Sequence, residues 1–272
     1  MAELLINVAT KKLLDAYLKS PAHALLLCGE SGVGLGSIAN MLARELSESE
    51  QTVTSLLPEK GLISIERVRT LYEQTRSIQD GKRVIIIDDA DSMSPDAQNA
   101  LLKLLEEPVE NVHFVLTTHA PNQLLSTIRS RAQAIRVLNI DETMSKQLLA
   151  NYSLDATKHA QTLFLASGRP AELTRLAEDE EYFAAKAGVV SDARTFLQTD
   201  AYGRLMVIKK YTDRAGALEF LTMCGQLLRF SFLKQKNVSA AENMEVFDLV
   251  MKRIEANGHA RTHLMHLVTK LS

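Results

Sequence analysis

The sequence of 272 residues has little of several features that would each mark a particular class of protein. Its two cysteines, Cys28 and Cys224, are far apart and form no C-x-x-C pair, so neither a disulfide framework nor a cysteine-based zinc site is indicated. No apolar run approaches the roughly 18 residues that suggest a membrane span. The segment MAELLINVATKK lacks the long apolar stretch of a secretory signal. We therefore expect a cytoplasmic chain without a membrane partner, with both cysteines in the core.

A strong excess of charge is also missing. The formal net charge is −2 at pH 7, which rules out a chain that coats nucleic acid by bulk charge, although a local basic face stays open. With 46% hydrophobic and 24% charged residues, the composition is that of an ordinary globular protein. The chain has no internal repeat, and its length predicts two or three domains, since single domains average about 100–200 residues.

Up to about residue 140, short apolar runs alternate with helical patterns. The apolar runs predict strands that are buried on both faces, at 24–28, 84–89, 112–118 and 133–137. Helical periodicity lies between them at 37–46, 64–75 and 94–108. The last of these helices has Ser94 as a candidate N-cap and Pro95 in its first turn. The alternation predicts an α/β fold with a parallel sheet covered by helices.

From about residue 141 the strand signal disappears and helical patterns continue to residue 271. Three short amphipathic helices are predicted at 143–152, 155–168 and 170–183, followed by a helical block at 192–211, 217–235, 242–258 and 260–271. The predicted architecture is an α/β domain over 1–140, a small helical domain over 141–182 and a larger all-α domain over 183–272.

A glycine-rich stretch, GESGVGLG at 29–36, joins the first predicted strand to the next helix. Gly29 and Gly34 keep the G-x₄-G spacing of a phosphate-binding loop, in which backbone N–H groups cradle phosphates, a lysine neutralises charge and a hydroxyl binds Mg²⁺. Here Leu35 and Gly36 replace the lysine and the hydroxyl residue, and Ser37 comes one position too late. The stretch is either a phosphate-binding loop that has lost hydrolysis and tight nucleotide binding, or an ordinary glycine-rich turn.

The segment VIIIDDAD at 84–91 bears on that choice. An apolar strand ending in Asp88 and Asp89 has the form of a Walker B element, in which the first acid holds Mg²⁺ and the next orients the attacking water. The second acid is an aspartate, whereas the usual glutamate would reach one methylene further. Two acids after a strand are a weak signal alone, but together with the earlier glycine-rich turn they favour the phosphate-binding interpretation.

Three segments resemble the AAA+ subunits of the bacterial DNA polymerase III clamp loader, and most of all its delta-prime subunits. They read LLPEKGLISIERVRTL, VIIIDDADSMSPDAQNALLKLLEEP and TTHAPNQLLSTIRSRA, and the string ALLKLLEEP is highly specific for clamp loaders. The resemblance covers most of residues 20–175, and the last helix resembles that of the family's collar. It implies an AAA+ P-loop domain over 1–140, a helical lid over 141–182 and an oligomerising collar over 183–272.

The resemblance also implies a pentameric ring in which ATP lies between neighbouring subunits. One subunit supplies the phosphate-binding loop and the next supplies an arginine from a serine-arginine-cysteine motif, which reads Ser130, Arg131 and Ala132 here. An arginine supplied in trans can be worth on the order of 10³–10⁵ in rate. The implied partners are the gamma/tau ATPase subunits and the delta subunit, with the sliding clamp and primer–template DNA reached through the assembled ring.

Other nucleotide positions of the family are incomplete in this chain. Thr117 and Thr118 end a strand where the family keeps its first sensor, whose hydroxyl reads the γ-phosphate. In SGRPAEL at 167–173, the arginine of the second sensor aligns with Ala171, and Arg169 is better interpreted as a surface residue at a helix start. We expect Gly29, Gly34, Asp88, Asp89, Thr117 and Thr118 all to be vestigial, with no bound cofactor.

No metal site is expected either. The ATP-hydrolysing relatives carry four cysteines before the PEKG segment, and this chain has none there. His259, His263 and His266 recur at helical spacing, but because no further ligand is evident, a partly buried or interface face is the simpler interpretation.

Three functional hypotheses remain. The first is a non-hydrolysing delta-prime type of subunit that is no enzyme by itself and donates Arg131 in trans. The second is an AAA+ clamp-loader ATPase that still binds or hydrolyses ATP through an atypical loop. The third is a DNA-binding module with Lys209 and Lys210 as candidate phosphate contacts. Nucleotide turnover by the isolated chain separates the first two, and strong, salt-sensitive duplex binding would favour the third.

Overall fold

A computed structural model describes residues 4–47, 52–76, 81–235, 238–256 and 258–271. Residues 1–3, 48–51 and 257, which fall in segments interpreted above, lie outside these ranges. The chain divides into two compact units, Met1–Glu178 and Asp179–Ser272. The finer division into three domains stays a prediction.

The first unit is built on a parallel sheet, as the sequence predicts. Among the residues described, five strands pair in the order β2-β3-β4-β1-β5, and every pair is parallel. They are β1 (Ala24–Cys28), β2 (Val53–Leu56), β3 (Arg83–Ile87), β4 (Val112–Thr118) and β5 (Gln133–Arg136). The helices are α1 (Val8–Lys19), α2 (Leu35–Leu46), α3 (Ile65–Arg76), α4 (Pro95–Glu106) and α5 (Ser126–Arg131).

The alternation of side chains along β1 divides the core into two layers. Ala24 and Leu26 belong to a buried cluster with residues of α3 and α4, whereas Leu25 and Leu27 belong to a second cluster with residues of α1 and α2. Successive residues of a strand point to opposite faces of the sheet, so a strand covered on both faces must be apolar throughout. The continuous apolar runs in the sequence have this cause.

Helix α4 begins where its sequence predicts. Ser94 Oγ accepts a hydrogen bond of 3.2 Å from the N–H of Ala97, and Pro95 occupies the first turn, where its missing N–H costs nothing. Other elements differ from the predictions: α2 begins at Leu35 instead of residue 37, and the sequence does not predict α1, α5 or the short edge strand β2.

Three helices complete the first unit: α6 (Glu142–Leu149), α7 (Ala156–Ala166) and α8 (Pro170–Glu178). The predicted single helix over 170–183 is wrong at its end. The chain breaks at Asp179, whose carboxylate accepts a hydrogen bond of 2.9 Å from the N–H of Tyr182 and so caps the next helix.

The second unit is all-helical in the part of the chain that the structure describes. Its helices are α9 (Glu180–Gln198), α10 (Ala201–Ile208), α11 (Arg214–Gln235), α12 (Val238–Glu255) and α13 (Ala260–Lys270). Phe196, buried at the centre, makes edge-to-face contacts with Phe220 and Phe247, with ring centroids 5.3 and 6.2 Å apart. In neither unit does any described helix have the length and apolarity needed to cross a membrane.

Candidate functional site

The glycine-rich loop and the two polar strand ends lie at the same edge of the sheet. The loop follows β1, Asp88 and Asp89 follow β3, and Thr117 and Thr118 end β4. Because the strands are parallel, their carboxyl ends meet at one edge, which is where open α/β sheets bind ligands. The fold therefore brings the predicted loop, acids and sensor residues together.

The glycine-rich turn has a structural reason of its own. Gly34 forms the N-cap of α2 with φ at +91°, a conformation that favours glycine. A Cβ at Gly29 would lie 2.8 Å from Val33 Cγ1 and 3.2 Å from the carbonyl oxygen of Val137. The N–H of Gly29 donates to Thr118 O over 3.2 Å. Close packing thus requires Gly29, and backbone conformation favours glycine at position 34, whether or not a phosphate binds.

Leu35 occupies the lysine position as a core residue. Its side chain is 3% exposed and belongs to the apolar cluster with α1 and α2. Its Cδ2 would lie 3.1 Å from a Cβ placed on Gly29, so apolar carbon packs over the first glycine of the loop. The lysine ammonium that binds the phosphates of a nucleoside triphosphate at this position is replaced by a buried hydrocarbon side chain.

Gly36, at the position of the hydroxyl residue, faces Asp88. A Cβ on Gly36 would lie 3.4 Å from Asp88 Oδ2 and 3.6 Å from Oδ1. A hydroxyl side chain here would lie next to the first acid, which is the arrangement that Mg²⁺ requires in a P-loop protein. With the hydroxyl and the lysine both missing, the remaining donors do not fit a magnesium nucleotide.

The hydroxyl of Thr117 is engaged within the protein. Thr117 is fully buried, and its Oγ1 donates to Asp88 Oδ1 over 2.5 Å and accepts from the N–H of Asp89 over 2.9 Å. Thr118 Oγ1 accepts from the N–H of Ala120 over 3.1 Å. Thr117 therefore ties the end of β3 to the end of β4, whereas the Thr118 hydroxyl binds the turn directly after β4.

His119 completes this cluster and is missed by the sequence reasoning. Its Nδ1 lies 2.8 Å from Gly29 O, and its Nε2 lies 3.5 Å from Asp89 Oδ1. The pKa of Asp89 is raised above its ordinary value by partial burial and by the charge of Asp88, and His119 opposes the shift. A polar residue directly after the two threonines was the available signal.

Helix α8 packs against the glycine-rich loop. The N–H of Glu172 donates to Gly32 O over 3.1 Å, and the Cβ of Ala171, at the second-sensor position, would lie 3.9 Å from a Cβ on Gly34. Arg169 donates to Ser31 O over 3.1 Å. It also donates to the carbonyl oxygens of Ala166 and Leu165 at the end of α7, over 2.8 and 2.9 Å. Arg169 stands directly before α8, as predicted, but it is half-buried, and its hydrogen bonds join the end of α7 to the glycine-rich loop.

Arg131 is the last residue of α5, and its side chain is 36% exposed. Its Nη2 lies 2.7 Å from Glu106 Oε1 at the end of α4, and its Nη1 donates to Thr127 O over 3.1 Å. Ser130 Oγ donates to the same carbonyl over 3.0 Å. The described contacts of Arg131 thus come from α4 and α5, and none from the glycine-rich loop.

Gln98, a buried polar residue of α4, connects that helix to the segment leading into α5. Its Nε2 donates to Met93 O and Gln123 O over 3.3 and 3.2 Å, and its Oε1 accepts from the N–H of Leu125 over 2.8 Å. Only 4% of the residue is exposed. A buried amide with its donors and acceptor engaged fixes the geometry around it, so α4 and the start of α5 are firmly joined.

A cleft of about 820 Å³ opens beside the loop, with Cys28, Gly29, His119 and Arg136 in its wall. Cys28 is only partly buried and packs against the edge of the first core cluster, whereas Cys224 is buried as predicted. Burial raises the pKa of the Cys28 thiol, against the opposing charges of Arg129 and Arg136.

The C-terminal histidines do not form a metal cluster in the part of the chain that the structure describes. No group of three or more His, Cys, Asp or Glu side chains that could hold a metal ion occurs among the described residues. His259 instead precedes α13, with its Nδ1 3.3 Å from Thr262 Oγ1.

Comparison with known proteins relates the chain to replication subunits. A family model described as DNA polymerase III, delta subunit, matches residues 47–141. The DNA polymerase III subunit delta′ of Yersinia pestis is 30% identical over 177 residues, which cover 61% of this chain and 52% of the relative. The subunit tau/gamma of Haemophilus influenzae is 35% identical over 151 residues, covering 47% and 22%. The chain spans about half the length of the delta′ relatives it matches.

Solved structures identify the fold. A DNA polymerase III gamma-subunit-related protein from Thermotoga maritima has a TM-score of 0.57 at 17% identity, covering 96% of this chain and 97% of its own. The RuvB Holliday junction branch migration motor of the same organism has a TM-score of 0.51 at 18% identity, covering 64% and 61%. Together with the parallel sheet, these similarities show that the chain has the α/β fold of these proteins.

Proposed function

We propose that this chain, a homologue of the delta-prime and gamma/tau subunits of bacterial DNA polymerase III, is a clamp-loader subunit of the delta-prime kind. It assembles with ATPase subunits, does not hydrolyse ATP itself, and donates Arg131 in trans to the ATP site of a neighbour. The ring then loads the sliding clamp on primed DNA.

The packing of Leu35 carries the non-hydrolysing part of the proposal. A P-loop ATPase needs a cation on the β- and γ-phosphates and a hydroxyl on Mg²⁺. Here the first position is a side chain that is 3% exposed within an apolar cluster, and the second is a glycine facing Asp88. No rotamer of Leu35 can supply a positive charge, and Gly36 has no side chain that could bind a metal ion. This supports a chain that does not hydrolyse ATP itself.

The exposure of Arg131 supports the role in trans. A guanidinium can stabilise the charge of a transferring phosphoryl group only if a neighbour's nucleotide can reach it. Arg131 is at the end of a short helix with about a third of its side chain exposed. Its proposed partners are gamma/tau-type ATPase subunits and a delta subunit, with the sliding clamp and primer–template DNA contacted by the assembled ring in the cytoplasm.

The proposal is tested in a complex reconstituted with the cognate ATPase subunits. We expect Arg131→Ala to leave assembly unchanged, because the side chain is surface-exposed, and to lower DNA-stimulated ATP turnover by a factor on the order of 10² or more. Turnover is measured by phosphate release, and assembly by size-exclusion chromatography. Arg129→Ala, an exposed arginine of the same helix, is the control. Unchanged turnover in the Arg131 variant would refute the proposed role.

One observation favours the second hypothesis, a chain that still binds or hydrolyses ATP: Asp88 and Thr117 are both present and are hydrogen-bonded to each other. Calorimetric titration of the isolated chain with magnesium ATP separates the two. We expect no binding in the micromolar range, and no steady hydrolysis when phosphate release is measured. Micromolar binding or steady hydrolysis would favour an atypical ATPase.

A further inference from the structure

We propose that Glu106, in the LLEEP end of α4, is the positioning residue of Arg131: it holds the guanidinium in the orientation in which a neighbour's phosphate meets it. This inference rests on the proposed function of Arg131 and adds a role for the most specific string of the sequence. The site's known elements leave that string unexplained.

Two anchors hold the guanidinium. Nη2 lies 2.7 Å from Glu106 Oε1, and Nη1 donates to Thr127 O over 3.1 Å. Arg131 is four residues after Thr127, so its side chain turns back along its own helix, and the carboxylate fixes the other end of the planar group. A guanidinium held at two nitrogens has a defined plane, which a single contact would not give.

The position of Glu106 in α4 favours a role beyond helix stability. Glu106 is the last residue of α4, where the negative end of the helix dipole disfavours a carboxylate. Arg131, in contrast, ends α5, where a cation is favoured and can bind helix carbonyl groups. The helix dipole of α4 disfavours Glu106 at this position, and the ion pair with Arg131 offsets that cost.

The carboxylate stands on a rigid support. Leu104 and Leu105, directly before Glu106, are 3% and 2% exposed, so the end of α4 is anchored in the core. Gln98, about two turns earlier, joins α4 to Gln123 and Leu125, which precede α5, through two hydrogen bonds. The two helices that carry Glu106 and Arg131 are thus fixed relative to each other, and the side-chain pair inherits that precision.

Pairing with Glu106 and binding of a phosphate are compatible. A guanidinium has more N–H donors than the two used in these contacts, and about a third of the Arg131 side chain remains exposed. A half-exposed ion pair of this kind contributes little to folding stability. Its effect is to remove the side-chain freedom that an arginine would otherwise lose when the neighbour's nucleotide arrives.

The test uses the full chain in the reconstituted complex with its ATPase subunits. Glu106→Gln keeps size and packing but removes the charge, and Glu107→Gln, the exposed next residue, is the matched control. We expect Glu106→Gln to lower DNA-stimulated ATP turnover about three- to tenfold, with assembly and the ATP concentration at half-maximal rate unchanged. Glu106→Asp should recover part of the loss, and Glu107→Gln should behave as wild type.

A double-mutant cycle distinguishes positioning from a general structural effect. In the Arg131→Ala background, Glu106→Gln should have no further effect on turnover, because the group that it positions is gone. A loss that persists undiminished in that background, or wild-type turnover of Glu106→Gln while Arg131→Ala is impaired, would overturn the positioning role alone. Wild-type turnover of Arg131→Ala would overturn the proposed function and, with it, this inference.

Discussion

At the scale of single residues, Leu35 fills with apolar carbon a position that carries a lysine in P-loop ATPases. In a P-loop ATPase the residue after the second glycine carries charge towards phosphate. In this chain the same position packs against Gly29 with 3% of its surface exposed. Leu35 stabilises the fold by burying apolar surface, and a charged side chain at this position would lose that contribution.

Restoring the lysine should therefore harm the fold. We expect Leu35→Lys to lower the free energy of unfolding by about 2–4 kcal/mol, since it places an ammonium group in an apolar cluster without a partner. Leu35→Met, which conserves volume, should cost less than about 1.5 kcal/mol. Urea denaturation followed by circular dichroism measures both. Equal stability of the Lys variant and the parent would show that the Leu35 packing contributes nothing.

The residues that sequence reasoning missed share one property. His119, Gln98 and Glu106 each act through a partner distant in the chain, such as Gly29 for His119 or Leu125 for Gln98. Spacing within one segment predicts the loop and the acids, because each of these follows its own strand, and the family resemblance implies the threonines. It cannot predict which side chain meets which across two strands or two helices.

At the scale of elements, the end of α7 is a tightly constrained junction. Gly168 has φ at +78°, and its missing Cβ would lie 2.3 Å from the carbonyl oxygen of Ile140. The N–H of Ile140 in turn donates to Gly168 O over 2.8 Å. The turn between α7 and α8 is therefore pressed against the segment that follows β5, with no room for any side chain.

Alanine substitutions at two glycines should separate crowding from backbone strain. Gly168→Ala should lower the free energy of unfolding by about 3 kcal/mol or more, because strain and a backbone clash add. Gly34→Ala, also at positive φ but with its nearest atom 3.9 Å away, should cost about 1–2 kcal/mol from strain alone. Chemical denaturation of both variants gives the comparison, and equal losses would contradict the crowding at Gly168.

Elements with a clear hydrophobic pattern are predictable from the sequence, and elements without one are not. Three buried strands, β1, β3 and β4, are largely apolar runs and agree with the sequence predictions. The fourth predicted strand, β5, is present, but it lies at the sheet edge with only Ile135 buried, so the expectation that it is buried on both faces is wrong. At the other edge β2, with Thr54 and Ser55, lacks an apolar run. The break at Asp179 is invisible to periodicity because the apolar pattern continues across it. The extended backbone of Asp179, with φ at −106° and ψ at 101°, and the hydrogen bond from the N–H of Tyr182 to its side chain separate one helix from the next.

At the scale of the whole molecule, the two units have separate cores. The sheet clusters lie within Met1–Glu178, and the contacts among Phe196, Phe220 and Phe247 lie within Asp179–Ser272. A unit with its own core can in principle fold alone.

We therefore expect a fragment of residues 1–178 to unfold cooperatively, measured by thermal circular dichroism. Under the proposed function the C-terminal helices form the assembly surface, so this fragment should not co-purify with the ATPase subunits, whereas the full chain should. Normal assembly of the fragment would contradict the collar role of the C-terminal helices, and a fragment without a cooperative transition would contradict its independence.

The apolar filling at Leu35 has a consequence for symmetry. A ring whose members each offer a nucleotide site to one side and an arginine to the other is head-to-tail, and identical members would make every position equivalent. A member that offers the arginine but no nucleotide site ends the series of active sites on one side. Under the proposed function, a single buried leucine thus gives the ring a fixed direction and a defined last position.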